Sequence, residues 1–249
     1  MKTLVIGGAG IVGTLVLPYL AREHSLRVLD RRPPLPDLPG VEFVEADLLD
    51  AAALGEAMQG QDALLYMAMG QMVSGKPDSA SAFDVNVKGV HLALMTAHES
   101  GISHAVYTSS MSVYQAVNGY RDTNGKTRDI RRFLIDEDMT PDAQGLYGFT
   151  KRLGEEVCRN ATRQWGMSVN ALRLCFPQSR EKWLAETRPD IPTMATDAED
   201  VARALLAALE FRAGFQAFTI SGDYEQKLMR MEKAKRLLGW EPLARPAPL

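Results

Sequence analysis

Residues 1–13 read MKTLVIGGAGIVG. A short apolar run, residues 3–6, meets glycines at 7, 8, 10 and 13. This is the pattern of a buried strand that turns sharply into a helix and leaves backbone room for a pyrophosphate. Gly7, Gly10 and Gly13 fit one such spacing, and Gly8, Gly10 and Gly13 fit another. One glycine permits the turn, one lets backbone N–H groups approach phosphate oxygens, and one lets the helix close on the strand. A helix opening at Ile11 and Val12 aims its unpaired N–H groups and its partly positive end at the same place. Asp30 ends the next apolar run, residues 26–29, where a carboxylate would accept the hydroxyls of an adenosine ribose. Such a carboxylate repels a 2′-phosphate, which favours NAD over NADP. Arg31 and Arg32 count against that preference, because a guanidinium there could neutralise the phosphate. Arg31 is therefore a candidate contact, with a solvated loop as the ordinary alternative.

Strand and helix patterns then alternate. Residues 3–6, 26–29, 41–45, 63–67, 104–108 and 169–174 read as strands, and 11–23, 50–59, 81–100 and 147–165 as helices. Alternation of this kind predicts an α/β fold, a doubly wound parallel sheet of Rossmann type with helices on both faces. The proline-rich stretch 31–40 predicts a stiff loop, and the polar stretch 118–144 a loop over the active-site face. Beyond Phe176 the pattern loosens, then returns with a helix over 197–210, a strand over 215–220 and a short helix over 231–238. The expected division is a dinucleotide-binding domain over 1–176 and a small substrate-side subdomain over 177–249.

Tyr147 and Lys151 stand four apart in LYGFTK, so a helix would turn both toward one cleft. A tyrosine phenol is a weak acid at neutral pH, and a nearby ammonium is expected to lower its pKa. Such a phenol can exchange a proton with a substrate oxygen while hydride moves to or from a nicotinamide. Ser110, in the Thr108-Ser109-Ser110 cluster, could hydrogen-bond that oxygen and place it. A Tyr-x-x-x-Lys spacing is common on helix surfaces; what distinguishes this one is its position after the fifth strand of a dinucleotide-type pattern.

The chain resembles the extended short-chain dehydrogenases/reductases, the NAD-dependent epimerase/dehydratase family. The resemblance rests on GGAGIVG at 7–13, Asp30, Ala46-Asp47-Leu48, Asn86-Val-Lys-Gly89, Thr108-Ser-Ser-Met-Ser-Val-Tyr114, Tyr147-Gly-Phe-Thr-Lys151, Arg173, Asp197-Ala-Glu-Asp200 and Leu238-Gly-Trp-Glu-Pro242. It implies Tyr147 as acid/base, Lys151 as a further ligand of the nicotinamide ribose, and Ser110 as the group polarising the substrate. It also implies Asp47 and Leu48 beside the adenine, Met67 and Ala68 against the cofactor, and Asn86 as a support. By the same resemblance, the helices over 81–100 and 147–165 pair across a two-fold axis in a homodimer. Two departures stand out: Met67-Ala-Met-Gly70 replaces a His-x-Ala-Ala type of segment, and Gln115 follows Tyr114 where Gly is usual. The stretch 177–197 is short for gripping a nucleotide-linked sugar. A smaller sugar-like substrate is expected, as in the similar short uronate dehydrogenases. Dehydrogenase and epimerase chemistry both stay open, and a non-catalytic NAD(P)-binding regulator is the alternative from another class.

A net charge of −3 over 249 residues gives no general reason to bind nucleic acid or an acidic membrane. No apolar run is long enough to span a bilayer, and no export segment is recognised, so a cytoplasmic protein is expected. Cys158 and Cys175 lack ligand spacing and read as reduced, buried thiols. The four histidines are scattered, with no carboxylate or cysteine completing a metal site. The methionines read first as core filling, with an apolar pocket lining as the alternative for those near the cleft.

Overall fold

Apolar side chains on both faces of successive short strands demand cover on both sides, and the chain supplies it by crossing over with a helix after nearly every strand. The computed structural model describes residues 1–34, 37–115 and 135–248. The elements that build the sheet are β1 (Lys2–Ile6), α1 (Ile11–Glu23), β2 (Ser25–Asp30), β3 (Glu42–Glu45), α2 (Ala51–Met58) and β4 (Ala63–Tyr66). A small hairpin, β5 (Met72–Val73) and β6 (Lys76–Pro77), leads to α3 (Ser79–Phe83), a π-helical turn (Asp84–Gly89) and α4 (Val90–Glu99). Then come β7 (His104–Ser110), a 3-10 turn (Met111–Val113), α5 (Leu146–Trp165) and β8 (Ser168–Leu174). The last third holds β9 (Pro177–Gln178), α6 (Arg180–Glu186), β10 (Thr196–Asp197), α7 (Ala198–Glu210), β11 (Phe215–Ile220) and α8 (Glu232–Leu238).

Seven strands form one parallel sheet in the order β11-β8-β7-β4-β1-β2-β3. The Rossmann-type doubly wound sheet expected from the sequence is what the chain forms. Period-2 alternation splits each strand between two cores: Val5, Val28 and Leu65 join α1 and α7 on one face. Leu4, Ile6, Leu64 and Tyr66 join α2, α4 and α5 on the other. The chain runs outward from β1 through β2 and β3, then returns to β4 on the other side of β1. That reversal opens a crevice beyond the carboxyl ends of β1 and β4.

The stretch 177–249 does more than lean on this sheet. β11 is its edge strand, and Val201, Leu205, Leu209, Phe218, Ile220 and Trp240 belong to the same core as β1 and α1. A third, smaller core at the crevice end mixes Met111, Val113, Tyr114 and Ile135 with Met194, Leu228 and Met229. Buried Asp200 anchors the terminal segment by accepting hydrogen bonds from the backbone N–H of Leu243 (3.0 Å) and Ala244 (2.9 Å). Of the loop expected over 118–144, residues 118–134 lie outside the described residues, as do 35 and 36 of the proline-rich stretch. The single helix expected over 81–100 is interrupted by the π turn. There the Tyr66 hydroxyl donates to the Val85 carbonyl at 2.6 Å, and Asn86 turns inward to bond Gly70 and Thr150, so tertiary partners compete with the helical ladder.

Behind the crevice lies a buried ion pair. Arg173 of β8 grips Glu155 of α5 with two parallel bonds, Nε to Oε1 at 2.9 Å and Nη2 to Oε2 at 2.7 Å. Ser109 donates to the same carboxylate at 2.7 Å, and Arg173 also bonds the Tyr114 hydroxyl. Both charged groups are fully buried. Removing one partner leaves an uncompensated charge, which typically costs about 3–5 kcal/mol. Glu155→Ala is therefore expected to lower the unfolding free energy by about that amount, measured by urea titration. The neighbouring exposed pair Glu156–Arg159 predicts less than about 1 kcal/mol for Glu156→Ala.

Candidate active site

The crevice is a cleft of about 1130 Å³. One end is walled by Asp30, Arg31, Arg32, Asp47 and Leu48, which follow β2 and β3. Gly7, Gly10, Ile11 and Val12 form the middle, facing Met67 and Ala68. Ser110, Tyr147 and Lys151 line the far end. The structure thus gathers on one cleft the site residues expected from the sequence, except Gly13 and the Gly8 of the alternative glycine spacing. Gly13 sits beneath the lining: a Cβ there would lie 2.0 Å from the Gly8 carbonyl oxygen. It is the glycine that lets α1 close on the strand.

Gly7 adopts φ +85°, in the left-handed region, and a Cβ on it would come within 2.4 Å of the Ala68 backbone. Two turns therefore touch backbone to backbone, and Gly7 cannot carry a side chain. Gly10 caps α1 with no side-chain hydrogen bond, so the first N–H groups of a thirteen-residue helix open onto the cleft. The Asp30 carboxylate accepts from the N–H of Ala9 at 3.0 Å and of Arg31 at 2.7 Å, which fixes its place on the wall. A side-chain-free turn, an uncapped helix start and a wall carboxylate suit a dinucleotide: N–H donors for its pyrophosphate and an acceptor for its ribose.

At the other end α5 is tied to the end of β7 by three successive turns of its inner face. Tyr147 shares a hydrogen bond with Ser110, and Lys151 Nζ donates to the Thr108 carbonyl at 2.8 Å. Glu155, one turn on, accepts from Ser109. Gly148 lets this face approach: a Cβ there would sit 2.0 Å from the Ser112 carbonyl oxygen. Gly154 does the same against the Tyr107 hydroxyl, at 2.3 Å. Asn86 donates to Thr150 at 3.0 Å and accepts from the Gly70 N–H at 3.2 Å, linking α5 to the turn after β4.

The electrostatics correct one expectation. Burial pushes the Tyr147 phenol above its ordinary value, and the opposing influence is the Ser110 hydrogen bond, not the Lys151 ammonium. Lys151 is itself buried, and desolvation pulls it down to about 8. Its charge is held by the Thr108 carbonyl and by the face of the Tyr107 ring, 5.0 Å away. In this site desolvation outweighs charge pairing for both groups.

Sequence reasoning passed over two residues. Glu155 continues the 147–151 face by another four residues, and that spacing could have found it. Phe176 lines the cleft from a backbone at φ +42°, which nothing in a phenylalanine codon position foretells. Cys158 and Cys175 are free and buried as expected, with burial pushing both thiols up. Met69, Met72 and Met111 line the cleft, whereas Met194, Met229 and Met231 are buried in the cores. Among the described residues no group of three or more His, Cys, Asp or Glu could hold a metal ion, and no helix is long and apolar enough to cross a membrane.

Comparison with known proteins identifies the fold and the family. The chain is 26% identical over 235 residues to an L-arabinose 1-dehydrogenase (NAD(P)(+)) of Haloferax volcanii, covering 94% of this chain and 83% of that one. It is 25% identical to an NAD-dependent glucose-6-phosphate dehydrogenase of the same organism, covering 96% and 92%. Among solved structures, a short-chain dehydrogenase/reductase superfamily protein of Agrobacterium tumefaciens with bound NAD superposes with TM-score 0.78 at 22% identity, covering 98% and 93%. A uronate dehydrogenase of Agrobacterium tumefaciens superposes with TM-score 0.77 at 21% identity, covering 98% and 84%. The family model described as NAD dependent epimerase/dehydratase matches residues 3–194, and the chain belongs to that family.

Proposed function

We propose that this protein is an NAD(P)-dependent oxidoreductase or epimerase acting on a hydroxyl or carbonyl group of a small sugar-like compound, with NAD the preferred cofactor. The observation that carries this reading is the continuity of one cleft from Asp30, past the glycine turn, to Ser110, Tyr147 and Lys151. Relatives named for L-arabinose and glucose 6-phosphate support a sugar-like substrate.

When bound, the nicotinamide supplies or accepts the hydride. The chain's own residues do the rest. The N–H groups opening α1 and the turn at Gly7–Gly10 hold the pyrophosphate. Asp30 accepts the adenosine ribose hydroxyls, and Asp47 and Leu48 flank the adenine. The Lys151 ammonium, pinned by the Thr108 carbonyl, donates to the nicotinamide ribose. Ser110 hydrogen-bonds the substrate oxygen, and the Tyr147 hydroxyl holds the proton exchanged with it. With the phenol raised, Tyr147 carries its proton through the neutral range and is set up as the acid of carbonyl reduction. On the outer face, α4 and α5 lie side by side, with His98 stacked on Trp165 at 5.6 Å, and their pairing with a second copy belongs to the same proposal.

Three outcomes are expected. Tyr147→Phe keeps dinucleotide affinity within about twofold in a fluorescence titration and lowers turnover roughly 10²- to 10⁴-fold; unchanged turnover removes the mechanism. Lys151 is charged below about 8 and neutral above it. The kcat/KM for carbonyl reduction is therefore expected to be level at lower pH and to fall about tenfold per unit once that value is passed. A profile still level at pH 10 contradicts the role given to Lys151. Asp30→Ala removes a charged acceptor from the ribose end and is expected to weaken NAD relative to NADP by roughly 10- to 100-fold in competition binding.

A further inference from the structure

Ser110 ends the middle one of three adjacent strands, β4, β7 and β8. The turns that flank it are therefore those after β4 and β8. The first carries Met69 and Met72. The second carries Phe176, two residues beyond Leu174, the register partner of Ser110. All three side chains line the cleft, and all three are unusually exposed for large apolar groups: 40% for Met69, 49% for Met72 and 44% for Phe176. Met111 and Leu174 continue the same lining between them. Gln71, Ser81 and Asp84, from the stretch between β4 and α4, line the cleft as well and supply polar groups beside the methionines.

Phe176 is held there against its own backbone preference. At φ +42° it occupies the left-handed region, which a bulky side chain resists. Thr196 secures the turn: its N–H donates to the carbonyls of Cys175 (3.1 Å) and Phe176 (3.2 Å), and its hydroxyl to Cys175 at 2.7 Å. An aromatic residue kept in a strained conformation at the mouth of a cleft is an outlier that asks for a functional cause. Methionines opposite it supply an adaptable apolar surface.

We propose that Phe176, Met69 and Met72 form an apolar clamp for the non-reacting part of the substrate, a hydroxyl or carbonyl compound that presents an apolar flank to them. The clamp rests on the reading of Ser110 and Tyr147 as the reacting end, and it narrows the substrate class of that end.

The test is a calorimetric titration of the full chain with 2-alkanones from butanone to octanone, with and without NADH, and with glucuronate and glucose 6-phosphate as charged probes. Wild type, Phe176→Gly and Met72→Ser are compared; glycine relieves the left-handed backbone, so folding is not at risk, and an unchanged Tm verifies it. Affinity is expected to rise roughly three- to fourfold per added methylene. The glycine variant should lose about tenfold on the longest ketones and the serine variant a smaller factor, with NADH affinity unaltered in both. A flat series, tighter binding of either charged probe, or a series in both variants matching wild type overturns the clamp. Failure of NADH to bind wild type overturns the dinucleotide reading alone, because the same slope is expected from the titrations without it.

Discussion

The cleft exists because two backbone turns are able to touch. Gly7, at the end of β1, lies so close to Ala68, beyond β4, that a single methyl group would collide with it. Gly13 lies as close to the Gly8 carbonyl oxygen. Together these contacts set the height of α1 above the sheet and the direction in which its free N–H groups point. A larger residue at either place would lift the helix away from the crevice, and the donors with it. The long cleft inherits its shape from this approach: Asp30 is located by the Ala9 N–H in the same turn, and Met67 and Ala68 form the facing wall.

The far end of the cleft is built by a second close approach, that of α5 to β7, and here polar groups complete what small residues permit. Gly148 and Gly154 bring the helix down; Tyr147, Lys151 and Glu155 then meet Ser110, the Thr108 carbonyl and Ser109 in turn. Arg173 satisfies the innermost of these groups from the neighbouring strand. A buried ion pair of this kind contributes little net stability compared with an apolar pair of the same shape, but its loss is costly, so it enforces one register between α5, β7 and β8. The strand ends that present Ser110 on one side and Leu174 and Phe176 on the other are kept in step by that register.

Placing Tyr147 and Lys151 so deep has an electrostatic consequence. Water is removed from both, and each shifts toward its neutral form: the phenol upward, the ammonium downward. Proximity of opposite charges would do the reverse. A site of this composition therefore favours a proton-carrying phenol at neutral pH, and its lysine becomes the group most sensitive to alkaline conditions.

Much of this was determined by the sequence alone. The glycine pattern at 7–13, the strand–helix alternation and the Tyr147–Lys151 spacing are local signals, because a turn, a period of two or four residues and a shared helix face depend only on near neighbours. They sufficed for the doubly wound sheet and for the crevice to which the glycine turn and the Tyr147–Lys151 face are directed. The tertiary structure alone decided what depends on distant partners. It placed β11 and α7, from the last third of the chain, in the main sheet and core, since an edge strand is recognised only by the strand it pairs with. It widened the helix around Asn86, because Tyr66 and Thr150 compete for its polar groups from far along the chain. It turned the electrostatics of Tyr147 from charge pairing to desolvation, since burial is a property of the fold and not of the i, i+4 spacing. It bent Phe176 into the left-handed region, where Thr196 holds the strained turn that its own dihedral preference would reject.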